Sequence, residues 1–219
     1  MAFGNPLGGS LATTRTGREA LFVVPGLTPA ASLTWDAAYG VESAVASSSI
    51  RYGGPNDTTT NNANGGFSFE IYDCPGLLGA VLYDPSTLAT KVTTANLAMT
   101  AFDTTNARIT FTAPATGNVL VRIRCFTTTI GAFPQILLGV LDGSTVKGRA
   151  APVGYVTTAQ GHHDATFIVT GLTPSSSYTW DAAYGVEILV ATTNISYGGP
   201  NDTTTGNAFG ALQYEIWAI

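Results

Sequence analysis

The sequence Thr-Trp-Asp-Ala-Ala-Tyr-Gly-Val-Glu occurs twice in this chain, at Thr34–Glu42 and at Thr179–Glu187, 145 positions apart. Around it the copies align without a gap, Gly26–Thr60 against Gly171–Thr205, and 26 of these 35 positions are identical. A self-match of this strength constrains the fold before any other signal does. Both copies alternate. In the first, Leu33, Trp35, Ala37, Tyr39 and Val41 fall on one side, with Thr34, Asp36, Ala38, Gly40 and Glu42 on the other. Period two with the aromatics on one side predicts a half-buried strand. Trp35, Tyr39, Trp180 and Tyr184 are therefore the expected core residues of the repeat, and the polar side is expected to face solvent.

The rest of the chain is patterned in the same way. Strands are predicted at 20–24, 49–52, 67–72, 108–112, 118–126, 136–141, 165–169 and 212–217, separated by Gly/Pro/Asn-rich turns such as Gly53-Gly-Pro-Asn-Asp57. Residues 77–100 carry less pattern, with Asp84-Pro85-Ser86 read as a turn. No stretch has a convincing helical period. The fold class is all-β, a β-sandwich of fibronectin III-like or jelly-roll-like type. The run Leu172-Thr-Pro-Ser-Ser-Ser-Tyr178 resembles the L-x-P-x-x-x-Y run of fibronectin type III domains, in which the tyrosine closes a corner between two strands. Leu33 stands at that position in the first copy.

The repeat begins inside a module. Residues 1–74 match only the back of the unit at 75–219, with Cys74-Pro75-Gly76 as the boundary. The organisation predicted is a partial, back-half repeat (1–74) followed by a complete β-sandwich module (75–219). The front strands, Arg108 to Leu141, exist once and have two back halves to serve. A half-sandwich exposes apolar faces and strand edges. Either both back halves share one core within the chain, or a neighbouring subunit completes the first, or that half is the packed-on remnant of a duplication. Completion by a neighbour, in the manner of strand addition, is the reading preferred.

Charged residues make up 11% of the 219 and the net charge is −5, against about 25% charged in an ordinary soluble domain. Arg122 with Arg124 is the one cluster of cations, which argues against binding a phosphate backbone. The longest apolar run in the middle of the chain, Ile136 to Leu141, is six residues, and a membrane-spanning helix takes about 20. The beginning, Met-Ala-Phe-Gly-Asn-Pro, lacks the basic-then-apolar pattern of a secretory signal, so export by the usual route is not expected. Cys74 and Cys125 could form one bridge. The alternation of Cys125 with Val119, Val121 and Ile123 favours a buried free thiol.

Little here looks catalytic. His162 and His163 are adjacent on an expected loop, which suits neither a two-histidine metal site nor a placed triad. Asp36 with Glu42, and Asp181 with Glu187, lie roughly 20 Å apart along an extended strand, too far for paired-carboxylate chemistry. No catalytic residue, cofactor or metal is assigned. The candidate contact or ligand loops are Asn56/Asp57 and Asn201/Asp202, whose oxygens could also gather around calcium. Trp217 shares its strand face with Gln213 and Glu215, and its counterpart Tyr72 has the same parity; both are candidate surface aromatics.

The runs Ile109-Thr-Phe-Thr-Ala-Pro114, Gly117-Asn-Val-Leu-Val-Arg122 and Leu138-Gly-Val-Leu-Asp-Gly-Ser144 resemble the front of a β-module found in bacteriophage virion proteins. Val169-Thr-Gly-Leu-Thr-Pro174, Tyr178-Thr-Trp180, Tyr197-Gly-Gly199 and Glu215-Ile-Trp217 resemble its back. Such modules are described as minor tail, fibre or decoration proteins. The resemblance covers 77–219 fully and 4–73 in part, and it implies a non-enzymatic virion structural protein. Its partners would be its own copies, other virion proteins and a host-surface glycan, and its place the virion, assembled in the host cytoplasm. The alternative is a carbohydrate-binding adhesion module.

Overall fold

The computed structural model describes residues 23–28, 30–38, 67–71, 73–85, 89–92, 97–129, 136–150, 161–188, 193–198 and 210–219. Among them are eleven strands: β1 (Leu77–Tyr83), β2 (Ala89–Val92), β3 (Thr100–Ala101), β4 (Arg108–Thr112), β5 (Val119–Thr129), β6 (Ile136–Asp142), β7 (Thr145–Arg149), β8 (Gly161–Val169), β9 (Ser177–Val186), β10 (Thr193–Tyr197) and β11 (Leu212–Ala218). They form two antiparallel sheets, so the fold is all-β.

The registers reduce eleven strands to eight lines. One edge of β5 pairs with β8, from Val119↔Val169 to Thr127↔Gly161. The other edge is shared: β11 takes Val119–Arg124 and β10 takes Phe126–Thr129. Hence β10 and β11 lie end to end, and β1 and β2 lie end to end along their far edge. In the second sheet β3 and β4 share one edge of β9, β6 holds the other, and β7 lies beyond β6. The layout is β1/β2–β11/β10–β5–β8 facing β3/β4–β9–β6–β7. Two antiparallel four-line sheets interleaved in this order are a jelly roll, which decides between the two expected sandwiches. Asp84-Pro85 is accordingly an interruption within a line rather than a reversal of it. A second interruption, between β3 and β4, is built on Asp103, whose Oδ1 accepts the amides of Thr105 and Asn106, both at 2.8 Å.

The core lies between the sheets. From the first come Val119, Val121, Ile123, Cys125, Tyr214 and Ile216; from the second come Ile109, Phe111, Leu138, Trp180, Ala182 and Tyr184. Phe111 meets Trp180 edge-on at 4.9 Å, and Phe102 meets Tyr184 at 4.9 Å and Tyr197 at 5.8 Å. Cys125 is buried as its alternation predicts, and neither cysteine is in a disulfide. The corner before β9 also forms: Tyr178 Oη accepts the Thr173 amide at 3.0 Å. It is tied to the β4–β5 loop by Ser175 N to Ala113 O (3.0 Å), Ala113 N to Ser176 O (2.9 Å) and Leu172 N to Gly117 O (3.0 Å). Gly117 has φ +67°, and a Cβ there would lie 2.5 Å from the Leu172 carbonyl oxygen, so only glycine fits.

The first copy repeats the turn and not the strand. Gly26 and Ala30 are left-handed at φ 76° and 59°, as Gly171 and Ser175 are at 77° and 63°. The same bond closes both turns, Ala31 N to Thr28 O and Ser176 N to Thr173 O, each at 3.2 Å. Beyond it, 31–38 and 67–71 are not in strands. Trp35, expected in the core, is 36% exposed, whereas Trp180 is fully buried. The alternating Phe67, Phe69 and Ile71 are 61%, 47% and 64% exposed, whereas their counterparts Leu212, Tyr214 and Ile216 are at 0%. The reason is tertiary. β9 is a strand because β4 and β6 hold its edges, and those front strands are occupied by the second copy. Tyr39 and the predicted strand at 49–52 lie outside the described residues, and described residues 23 and 24 of the strand predicted at 20–24 are not in a strand.

Identical tryptophans in unlike surroundings give a clean comparison. Trp180→Ala should cost about 3–5 kcal/mol of folding stability, the usual range for emptying a buried aromatic site. Trp35→Ala should change it by no more than about 0.5 kcal/mol, as at an uncommitted surface position. Urea unfolding of both variants measures the difference.

Candidate functional site

The inward alternation of β5 and β11 sends their other residues to the outer face of the first sheet. Across β1, β11, β5 and β8 the registers give rows there: Leu82–Gln213–Arg124–Asp164, then Ala80–Glu215–Arg122–Thr166, then Leu77–Trp217–Leu120–Ile168. Asp164 is the hub of the polar rows. It accepts Arg124 Nε at 2.8 Å on Oδ2, and Arg122 Nη2 at 3.0 Å on the same oxygen. Arg124 Nη1 reaches Gln213 Oε1 at 3.5 Å. Trp217 Nε1 donates to Glu215 Oε2 at 3.0 Å.

Burial deepens away from β8. The Asp164 side chain is 45% exposed, Arg122 29% and Arg124 15%, while Gln213 and Glu215 are buried. Burial pushes the Glu215 carboxyl above its ordinary value of 4.5, partly opposed by the Trp217 hydrogen bond and the Arg122 charge. Two arginines and two carboxylates make the face neutral as a set. The third row adds an apolar band: Ile168 is 57% exposed, and Leu120 and Trp217 are half-buried beside it. Arginine and tryptophan held in fixed geometry beside exposed apolar surface are the chemistry of a contact face.

The second sheet hides a charge that alternation alone places outside. Asp181 is buried, and Arg108 meets it with two bonds, Nε to Oδ1 at 2.7 Å and Nη2 to Oδ2 at 2.9 Å. The carboxylate in turn raises the Arg108 pKa, first through these bonds and then through its charge. The expected solvent face of β9 is therefore corrected in part: Thr179 and Glu187 are exposed, but every residue from Trp180 to Val186 is buried, Asp181, Ala183 and Gly185 included. The histidines are corrected as well. They lie on β8 rather than on a loop, and His163 is buried opposite Cys125.

Of the remaining site candidates, Trp217 sits on the outer face with Gln213 and Glu215 as its parity predicts, and Trp180 and Tyr184 are in the core. Tyr72, Asn56, Asp57, Asn201 and Asp202 lie outside the described residues. The bracketing residues of the Asn201/Asp202 segment are joined, Gly198 N donating to Gly210 O at 2.6 Å. Among the described residues no three metal-ligating side chains gather, and no helix is long and apolar enough to cross a membrane. Sequence reasoning paired neither Arg108 with Asp181 nor Asp164 with Arg122 and Arg124. The spacing of Arg122 and Arg124, two apart on a strand whose other face is Val-Val-Ile-Cys, was the available signal for the outer face.

Because the folded state holds the Glu215 proton more tightly than the unfolded chain does, the protonated carboxyl favours folding below pH 4.5, and that contribution is lost as pH rises through the raised folded pKa. Glu215→Gln keeps an acceptor for Trp217 and removes the ionisation. It should be at least as stable as the parent at pH 7, with the gap closing towards pH 4, as read by thermal unfolding at both pH values. Arg108→Ala should lower the unfolding midpoint more than Arg122→Ala does, because it strands the buried Asp181. Compared with known proteins, the chain matches no family model and no curated protein.

Proposed function

We propose that this chain is a non-enzymatic structural protein of a bacteriophage virion, in a tail, fibre or decoration role, working through protein–protein contacts in an assembly. The observation that carries the reading lies in the described residues of the first copy: Trp35, Phe67, Phe69 and Ile71 show to solvent the side chains that the second copy buries. Aromatic and aliphatic residues alternating towards water over a segment that can form strands are covered in the working state of most proteins. The jelly roll is a fold of viral capsid proteins, and the sequence resemblance points the same way. In this reading residues 1–74 are a partial back-half repeat and 75–219 a complete module. The outer face around Arg122, Arg124 and Trp217 is a contact with other copies or other virion proteins, and the place of the protein is the virion, assembled in the host cytoplasm.

Jelly rolls also serve as lectin domains, and the sequence between β10 and β11 carries Asn201 and Asp202. A carbohydrate-binding adhesion module is the second reading.

Mass spectrometry of purified virions should find the chain, in hundreds of copies for decoration and in few for a fibre. Light scattering at micromolar concentration should give a mass well above 22.6 kDa, falling towards it in a Phe69→Glu variant. A stable monomer absent from particles would sink the proposal. Glycan-array binding lost on mutating Asn201 and Asp202 would favour the second reading instead.

A further inference from the structure

The back half at the N-terminus fits the same front that the C-terminal half occupies. At the 145-residue offset Trp35, Asp36, Ala37 and Ala38 match Trp180, Asp181, Ala182 and Ala183, which pair with β4 and β6. Phe67, Phe69, Glu70 and Ile71 match Leu212, Tyr214, Glu215 and Ile216 of β11, and Glu19 matches Asp164, the hub for Arg122 and Arg124. The turn that docks on the β4–β5 loop is already set in the first copy, with both left-handed residues in place.

Connectivity suits the exchange. In the jelly roll the chain's end lies beside the start of the module: Leu77 pairs with Trp217, and Ala218 N donates to Gly76 O at 2.8 Å. Tyr72 is the counterpart of Trp217, and only 73–76 separate it from Leu77. Leu77 N already donates to Cys74 O at 3.0 Å. Placed on the β11 line, 67–72 would run into β1 through a four-residue hairpin loop, a common length. The result is a circular permutant of the same jelly roll.

The two halves are also matched in quality. In the C-terminal half Gln213 Nε2 and the Tyr214 hydroxyl are buried with no hydrogen-bond partner. Ser68 and Phe69 stand at those positions and carry neither the side-chain amide nor the ring hydroxyl. Against this, Leu33 lacks the corner bond that Tyr178 makes to Thr173, and Arg18 stands where His163 is buried. We infer that the front strands β4, β5 and β6 are a single slot for which residues 26–72 and 171–217 of this chain compete, so that the N-terminal half can displace the C-terminal one and free it for other contacts.

Disulfide trapping in the full chain tests this. Thr110 and Thr179 face each other with their hydroxyl oxygens 2.9 Å apart, and Thr34 is the counterpart of Thr179. In a Cys74→Ser background the remaining native thiol, Cys125, is fully buried and pushed up to about 12, so it stays out of exchange. Thr110→Cys/Thr179→Cys should cross-link under oxidised glutathione as the positive control. Thr34→Cys/Thr110→Cys should cross-link as well, and adding Tyr178→Leu, which removes the corner bond from the C-terminal half alone, should raise that fraction severalfold. A cross-linked monomer shows exchange within one chain and a cross-linked dimer shows exchange between two copies; both support the shared slot. Control cross-linking with no 34–110 bond, with or without Tyr178→Leu, overturns it. The outcome is independent of whether the chain resides in a virion.

Discussion

Everything in the jelly roll depends on β9 being gripped along both edges. β4 holds it from Arg108↔Asp181 to Thr112↔Ser177, and β6 from Ile136↔Val186 to Leu141↔Asp181. With its backbone paired on both sides, the strand can bury both faces: Trp180, Ala182 and Tyr184 towards the core, Asp181 and Ala183 away from it. Burying Asp181 is tolerable only because Arg108 arrives on the neighbouring strand in two-bond geometry. The ion pair and the strand register thus enforce each other. A one-residue slip of β4 would carry Arg108 to the opposite face and leave Asp181 buried without it.

The duplicated nonapeptide separates what is local from what is tertiary. The turn before it forms alike in both copies because its bond closes within four residues, at 3.2 Å in each. Local closure costs little chain entropy, and the left-handed positions belong to the turn itself. The strand after the turn has no such independence. Its amides and carbonyls need neighbours, and a tryptophan stays buried only between sheets. The same residues are therefore 36% exposed in one place and fully buried in the other.

That contrast marks how far the sequence could be read. Alternation located β4, β5, β9 and β11 and put Trp180, Tyr184 and Cys125 inside, because each of these strands has one face firmly against the core; β6 was legible instead as an unbroken apolar run, being buried on both faces. It missed β1, whose LLGAVLY is half-buried throughout and so shows no period. It missed β7, a largely exposed edge strand. It put Asp181 outside because period two records which residues are apolar, and a charge buried with its partner looks the same as a solvated one. The outer-face network was hidden for a related reason: Asp164 lies 40 residues from Arg124 and meets it only across the β5–β8 ladder.

The same contrast defines what a surface covering the first copy would have to supply. Such a surface must repeat what β4 to β6 offer the second copy: paired edges on both sides of Thr34–Ala38, an arginine opposite Asp36 as Arg108 is opposite Asp181, and a glycine to receive the carbonyl of Leu27 as Gly117 receives that of Leu172. A partner with those features would be recognised by geometry and charge together, and one lacking the arginine would leave Asp36 a buried, unpaired charge.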